Sequence, residues 1–382
     1  MNRTKSIISA SQSTMTPMAL IVATLLTCLT ACSSDNDSPN EPQLQTPISF
    51  GASLPKATNV EAGTRAEGLE TKNTEFTVWA YKNKTVSGEG TTTSPYNYDD
   101  LQNVMQEYKV QWAANTANTT TTNTNDWEYI GGTNNQTIKY WDFDATAYRF
   151  FGYALGKETA DPATSIVPVT ANVGTNSATL SATVDASSEA AIEAAPYISR
   201  LWFSNNNYNS SNKYAEVVQL EFIKPFARVR IMFTYAEGAQ ILHSSLTDIN
   251  FKPTDTSKHI PQKGAVTATY PLTGTETAET ITATPTDYLA AITEDYWEGD
   301  AAHLIWYTVL PAEQDTYILS VKVDGEVRPA YVPGEFMDWK AGYEYTYIFK
   351  VFGGGSIVFD EVQVGIKGWN NAETFNHPVY NW

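Results

Sequence analysis

Residues 225–235 read PFARVRIMFTY, and apolar and polar side chains alternate along the middle of this stretch. Val229 and Ile231 fall on one face of an extended chain, whereas Arg228 and Arg230 fall on the other. A period of two is typical of a β-strand with one face on a core. The stretch therefore predicts a strand whose two arginines face water.

The same alternation recurs on both sides of this stretch, in short segments separated by polar turns. Many such segments predict antiparallel sheets packed face to face, so the expected fold class is all-β. Only two segments, 99–108 and 187–195, suggest short helices instead. The clearest further strand candidates are 76–81, 127–130, 137–141, 148–153, 218–222, 317–323 and 343–349.

The part of the chain that follows residue 65 is long enough for two domains, at the usual size of about 150 residues each. The asparagine-rich stretch SNNNYNSSNK at 204–213 reads as a surface loop, and it suggests a boundary near Tyr214. We therefore expect two tandem β-sandwiches, covering 66–214 and 215–382.

The first residues predict export from the cell. Arg3 and Lys5 precede an apolar run at 18–29, which is shorter than the roughly 20 residues that a membrane-spanning helix needs. This pattern is typical of a secretory signal peptide. The run ends in LTAC, which resembles the bacterial lipobox, so 1–31 is predicted to be removed and Cys32 to be lipidated. The alternative is an ordinary signal peptide with an incidental cysteine.

Charge and cysteine content restrict the function further. The formal net charge of −18 argues against nucleic-acid binding, which needs clustered lysine and arginine. The chain has two cysteines, and Cys28 lies inside the apolar run, so Cys32 alone would remain after processing. Core burial rather than disulfide bonding must then hold the exported protein together.

No pattern of catalytic or metal-binding residues stands out, and we predict neither an enzyme nor a cofactor. The sequence lacks a P-loop, a GxSxG motif and an HExxH motif. A glycosidase-like carboxylate pair stays possible in principle, and the many tyrosines and tryptophans could bind sugars. We favour solvated carboxylates and core aromatics. No histidine has another histidine or a cysteine at metal-ligand spacing: His243, His259, His303 and His377.

A polar, proline-containing spacer at 33–47 leads into a short strand candidate. Ile48, Phe50 and Leu54 share one face at period two, and the loop NVEAGTRAEG follows. Residues 32–65 are thus interpreted as a lipidated spacer ending in an N-terminal strand and its loop.

The end of the chain carries a second unusual segment. Gly353–Gly355 give the backbone unusual freedom before an apolar stretch at 356–366. The apolar phase slips by one after residue 360, which predicts two strand segments joined by a kink or bulge behind a hinge. The alternative is a hairpin strand that stays in its own sheet. The apolar residues are Ile357 and Phe359 before the slip, and Val362, Val364 and Ile366 after it.

Taken in order, several of these fragments resemble the fimbrillin family of type V pilins. They are the lipobox, ISFGA at 48–52, GTRA at 63–66, FTVWAY at 76–81, PFARVRI at 225–231, WKAGYEYTYIFKV at 339–351 and VQVGIKGW at 362–369. The resemblance extends over almost the whole chain.

The resemblance implies a mechanism as well as a fold. It implies two transthyretin-like antiparallel sandwiches and an arginine-specific protease that cuts after Arg65, leaving Ala66 as the new start. Loss of the strand at 48–54 would open an apolar groove in the sheet. A donor strand from another subunit would fill that groove, and we expect it to be 357–366.

The resemblance also implies a cellular location and binding partners. The chain would be an outer-membrane lipoprotein at the cell surface, in a fimbrium, with other pilin subunits as partners and a role in adhesion to a host or bacterial ligand. A surface glycan-binding lipoprotein of a nutrient-uptake system is the main alternative, followed by an enzyme. Within the fimbrium, the chain would be a subunit of the shaft or the tip.

Overall fold

The computed structural model describes residues 46–53, 75–114, 125–130, 136–156, 166–205, 214–239, 246–297, 305–313 and 316–366. All of them belong to the structural unit Thr46–Trp382. Almost every element is a strand, so the predicted all-β class is confirmed. In the first part of the chain the elements are β1 Phe50–Ser53, β2 Glu75–Ser87, β3 Asn97–Ala114, β4 Asn125–Glu128, β5 Ala147–Ala154, β6 Thr170–Val173, β7 Ser177–Asp185, α1 Glu189–Ala194, β8 Tyr197–Ser199, β9 Trp202–Asn205 and β10 Val218–Ile223.

The second part of the chain continues the same way and includes a short 3₁₀ turn at Gly334–Phe336. Its strands are β11 Ala227–Tyr235, β12 Leu246–Pro253, β13 Ile260–Pro271, β14 Thr280–Leu289, β15 Ile292–Tyr296, β16 Ile305–Val309, β17 Ala312–Glu313, β18 Tyr317–Val323, β19 Glu326–Val332, β20 Asp338–Trp339, β21 Tyr343–Val351 and β22 Ile357–Ile366.

Eight strands form the first sheet, in the order β2-β3-β4-β1-β10-β8-β5-β9. An additional pairing joins β5, the seventh strand in this order, to β2, the first. The strands surround an aromatic-rich core because their inward positions are mostly large and apolar. Fully buried members of this core include Phe50, Phe76, Trp127, Phe150 and Phe222.

Two four-stranded sheets enclose a second core. Their orders are β16-β11-β21-β22 and β15-β12-β18-β19. The alternation read from the sequence places Ile231 and Phe233 of β11, and Leu319 and Val321 of β18, between the two sheets. Burying such side chains stabilises the fold by about 1.5–3 kcal/mol each. Most pairings are antiparallel, and the parallel ones described are β1 with β10 and β11 with β21.

A further four-stranded sheet, β14-β13-β7-β6, joins strands from both halves of the chain. Its apolar side packs on Trp79, Tyr81 and Phe151 from the outer side of the first sheet. This sheet and the pairing of β10 with β8 both cross the sequence position of the predicted boundary near Tyr214. The division into domains at 66–214 and 215–382 stays a prediction.

One of the two helix predictions is wrong. Residues 99–108 lie within β3, which pairs with β2 along almost its whole length. Tertiary pairing has overridden local propensity there, and a positive φ angle at Glu107 accompanies the register shift opposite Val78 and Ala80. The other predicted helix, at 187–195, is confirmed as α1, whose Ser188 side chain accepts a hydrogen bond from the Ala191 amide.

The prediction that Arg228 and Arg230 face water is also wrong. Arg230 is only 4% exposed, and its guanidinium lies 2.6 Å from the Glu344 carboxylate on the adjacent β21. The Arg228 guanidinium stacks over the ring of Trp306 at 4.6 Å. Since a carboxylate and an aromatic ring both accommodate guanidinium groups, arginine can occupy a covered strand face. The alternation correctly identified the strand and its two faces. It did not indicate that Glu344 and Trp306 cover the face that carries the arginines.

Candidate functional site

The strand β1 lies in the middle of the first sheet, although it comes from the very front of the described chain. On one side it runs parallel to β10, from the pair Phe50–Val218 to the pair Ser53–Glu221. On the other side it meets β4 at Phe50 and Trp127, in the antiparallel sense. Both neighbours are distant in sequence, so β1 fills a slot between strands that have no local connection to it.

The inward side chains of β1, and that of Ile48 just before it, are almost fully enclosed. Ile48 and Phe50 are 0% and 1% exposed, and Ala52 is 7% exposed. The Phe50 ring packs edge-on against three other rings, with centroids 5.8 to 6.0 Å apart. Edge-on contacts at this distance add to the stabilisation from burial. The three partners are Phe76, Tyr129 and Phe150.

Backbone hydrogen bonds extend the attachment beyond the strand itself. They satisfy the polar groups that burial would otherwise leave without water. The bonds run from the Ile48 amide to the Lys139 carbonyl at 2.8 Å, from the Trp141 amide to the Thr46 carbonyl at 3.0 Å, and from the Val218 amide to the Ser49 carbonyl at 2.8 Å.

Tyr129 adds a side-chain attachment. Its hydroxyl donates to the Ile48 carbonyl at 3.0 Å and accepts from the Lys139 amide at 3.1 Å. Burial raises the pKa of the Tyr129 phenol well above its usual value, so the hydroxyl stays protonated and remains a donor. The residue thus holds the start of β1 to the segment that follows β4.

Gly51 marks the outward face of β1. It pairs with Gln219 of β10, and a Cβ atom at residue 51 would lie 2.3 Å from the Gln219 side-chain amide. Real Cβ atoms essentially never come within 3.0 Å of a non-bonded heavy atom, so a larger residue there would displace the Gln219 side chain. At this position the exposed, flexible side chain of Gln219 therefore lies over the outward face of β1.

The predicted tail segment forms β22, which pairs with β21 at the edge of its sheet. This is the hairpin arrangement that the alternative interpretation predicted. The three glycines form a tight turn, in which the Gly355 amide donates to the Phe352 carbonyl at 2.8 Å. Ile357 is buried, whereas Val358 and Val364 are 44% and 55% exposed.

The predicted phase slip in this segment is confirmed as a bulge. Ile348 pairs with Glu361 and Phe349 pairs with Phe359, so Asp360 is the extra residue. On either side of the bulge, Phe359 and Val362 both pack against the second core. A single extra residue lets both halves of an irregular apolar pattern face the same core.

Several predicted site residues lie outside the residues that the structure describes. They are the lipidation residue Cys32, the cleavage residues Arg65 and Ala66, and Leu54. Ile366 ends β22. The roles predicted for these residues, and for 48–54 and 357–366 as exchanged strands, stay predictions.

The sequence did not point to Tyr129, Gln219 or Ala52 as parts of the slot. Ala52 continues the alternation of Ile48 and Phe50, so the ISFGA pattern could have indicated it. Tyr129 and Gln219 offered no comparable signal, because only the long-range pairing of β1 brings them next to it.

Within the described ranges, no cluster of three or more histidine, cysteine or acidic side chains could hold a metal ion. Of the helices in that part of the chain, none is long and apolar enough to cross a membrane.

Comparison with known proteins adds one informative match. A family described as fimbrillin-like matches residues 64–369. A search of curated protein sequences found no match. Among solved structures, a cell adhesion protein from Bacteroides uniformis is 16% identical with a TM-score of 0.36, covering 85% of this chain and 100% of that one. The tip fimbrial protein from Porphyromonas gingivalis is 10% identical with a TM-score of 0.33, covering 80% and 97%. With TM-scores below 0.5, these structures support no argument about function.

Proposed function

Because the chain belongs to the fimbrillin-like family, we propose that it is a structural subunit of a cell-surface pilus with a role in adhesion. Membership of this family supports a structural rather than an enzymatic role. The subunit assembles by strand exchange: residues 48–54 leave the first sheet after cleavage at Arg65, and residues 357–366 of another subunit take their place.

The single observation that carries this proposal is the position of β1 in the first sheet. Its neighbours are β4 and β10, and it has no hairpin partner among the described strands. Only the stretch 54–74 joins it covalently to β2. A cut in that stretch leaves β1 attached by non-covalent contacts alone, which a competing strand can replace without breaking any other pairing.

Removal of β1 would also create a binding site for a strand. It would leave unpaired backbone groups on β4 and β10, together with an apolar slot once filled by Ile48 and Phe50. An open slot of this kind is a template for another extended chain. Reburying two such side chains is worth on the order of 3–6 kcal/mol before ordering costs.

Localisation follows from the same proposal. Lipidation at Cys32 would hold the unprocessed chain on the outer membrane, and cleavage at Arg65 would separate the subunit from that anchor. The sequence pattern at 18–32 supports this order of events. A test replaces Cys32 by Ala: the variant should leave the membrane fraction after a salt wash, and its retention there would overturn the lipid anchor.

Assembly is tested by treating the chain with an arginine-specific protease. The expected product starts at Ala66 and forms oligomers that resist SDS and dissociate on heating. Arg65→Ala is the matched control, which should stay monomeric under the same treatment. A product that starts at Ala66, has lost residues 48–54 and still remains monomeric would overturn the proposal. Retarded migration of that monomer in a polysaccharide gel would favour the glycan-binding alternative.

A further inference from the structure

The glycine of β1 restricts which strand can replace it. Gly51 lies between the buried residues Phe50 and Ala52, and its missing side chain leaves room for the Gln219 amide. A strand with glycine at the same position enters this slot without moving Gln219, whereas a larger residue must turn that exposed side chain aside. The slot thus has a pattern: apolar, polar, apolar, glycine, apolar.

The second half of β22 has that same pattern. Residues 362–366 read VQVGI, and residues 48–52 read ISFGA. Aligned without a gap, Gly365 takes the place of Gly51. Each inward position is apolar in both strands, and the outward position before the glycine is polar in both, Gln363 in place of Ser49.

We propose that β22 of a second copy of this chain enters the slot parallel to β10, in the register that places Gly365 opposite Gln219. This inference rests on the proposed strand exchange and adds to it the direction and register of the donor. Val362 and Val364 then occupy the inward positions of Ile48 and Phe50. Val364 is 55% exposed in its own hairpin, so the transfer buries a side chain that the subunit's own fold leaves in water.

A competing register must be weighed, because the first half of β22 also resembles β1. Residues 357–361 read IVFDE, which matches Ile48 and Phe50 with Ile357 and Phe359. That register places Asp360 against Gln219 and Glu361 at the enclosed position of Ala52. A carboxylate without a partner in a dry site is strongly unfavourable. The other register loses packing where Val364 replaces Phe50 and adds volume where Ile366 replaces Ala52, and both are smaller, apolar costs. The register with Gly365 opposite Gln219 is therefore the favoured one.

Cysteine cross-linking distinguishes the two registers. Both natural cysteines, Cys28 and Cys32, precede Arg65, so processed subunits carry none. Processed Gln219→Cys subunits are mixed with processed Gly365→Cys subunits and oxidised during assembly. We expect disulfide-linked dimers on a non-reducing gel, because residues paired across adjacent strands lie within disulfide reach. Each single variant alone, and the mixture with Gln363→Cys, serve as controls and should give no dimer above background.

The outcomes separate the register from the exchange itself. Disulfide-linked dimers between Asp360→Cys and Gln219→Cys subunits would overturn the register and leave the exchange intact. Polymers of Gly365→Cys and Gln219→Cys subunits that form without cross-links would do the same. Unsubstituted processed subunits that fail to polymerise would overturn both.

A steric pair of variants gives an independent measurement. Gly365→Leu should slow assembly about two- to fivefold, because the leucine must turn the exposed Gln219 side chain out of its rotamer. Gln219→Ala in the receiving subunit should restore the rate by removing that side chain. Gln363→Leu, on the same face of β22, is the matched control and should assemble at nearly the normal rate. Slowing that Gln219→Ala does not relieve would overturn the register, since any effect of Gly365→Leu inside its own hairpin is independent of Gln219.

Discussion

The strands β1 and β22 share an apolar pattern but are held in opposite ways. β1 has paired neighbours on both sides and inward side chains that are almost fully enclosed. β22 lies at a sheet edge, pairs with its hairpin neighbour β21 alone among the described strands, and exposes about half of Val364. The strand whose contacts all come from distant parts of the chain is the buried one. The locally connected strand is peripheral, so its release breaks one strand pairing and uncovers only the part of the second core that Ile357, Phe359 and Val362 cover.

The largest expected effect contrasts one side chain from each strand. Phe50→Ala should lower the free energy of unfolding of the uncleaved chain by about 3–5 kcal/mol, because it leaves a cavity among three aromatic rings. Val364→Ala should lower it by less than about 1 kcal/mol, because that side chain is half exposed. Urea unfolding of both variants measures the difference. Equal losses would show that β22 is held as firmly as β1.

A second comparison removes the attachment that Tyr129 provides. Tyr129→Phe deletes a hydroxyl that contacts the Ile48 carbonyl and the Lys139 amide, which should cost about 1–3 kcal/mol. The effect should be local to β1. Hydrogen exchange should accelerate at the β1 amides and stay unchanged at those of β22. Equal acceleration in both strands would mean that the two respond as one cooperative unit.

A third comparison measures how the stability of the folded chain depends on pH. Asp142 follows Trp141, whose amide donates to the Thr46 carbonyl just before β1. Burial alone would raise the pKa of Asp142, but hydrogen bonds from Lys82 and Lys84 outweigh it and lower the pKa to about 2. A depressed carboxyl pKa stabilises the folded state above the unfolded value near 4, and that contribution is lost as the pH falls towards 2.

Asp142→Asn should therefore cost about 1–2 kcal/mol at pH 7, and the difference from the unsubstituted chain should shrink towards zero near pH 2. The matched control in β22 is Asp360→Asn. Asp360 lies 3.9 Å from Lys350 in an exposed pair, so its loss should have almost no effect at either pH. Chemical unfolding at several pH values makes the measurement. A penalty that persists unchanged at pH 2 would contradict the assignment to the Asp142 charge.

The sequence was informative wherever a local pattern decides the outcome. Alternation located β11, β18 and β21, and the phase slip after residue 360 located the bulge in β22. Alternation at 48–50 also indicated a strand, but its place between β4 and β10 depends on pairings across most of the chain. The burial of Arg230 depends likewise on Glu344, more than a hundred residues away. Such long-range pairings are not encoded in any single window of residues, so pattern reasoning could not reach them.

The smallest expected effect concerns the turn that leads into β22. Gly355 has a φ of +79°, a backbone conformation that costs other residues about 1 kcal/mol, whereas neighbouring Gly354 lacks that constraint. Gly355→Ala should thus weaken the β21–β22 hairpin slightly, and Gly354→Ala should not. If β22 must leave its hairpin before it enters another subunit, the destabilised hairpin should release it more readily. Processed Gly355→Ala subunits should then assemble a few-fold faster than Gly354→Ala subunits, as measured by the appearance of SDS-resistant oligomers. Slower assembly would indicate that β22 acts from within its hairpin rather than by leaving it.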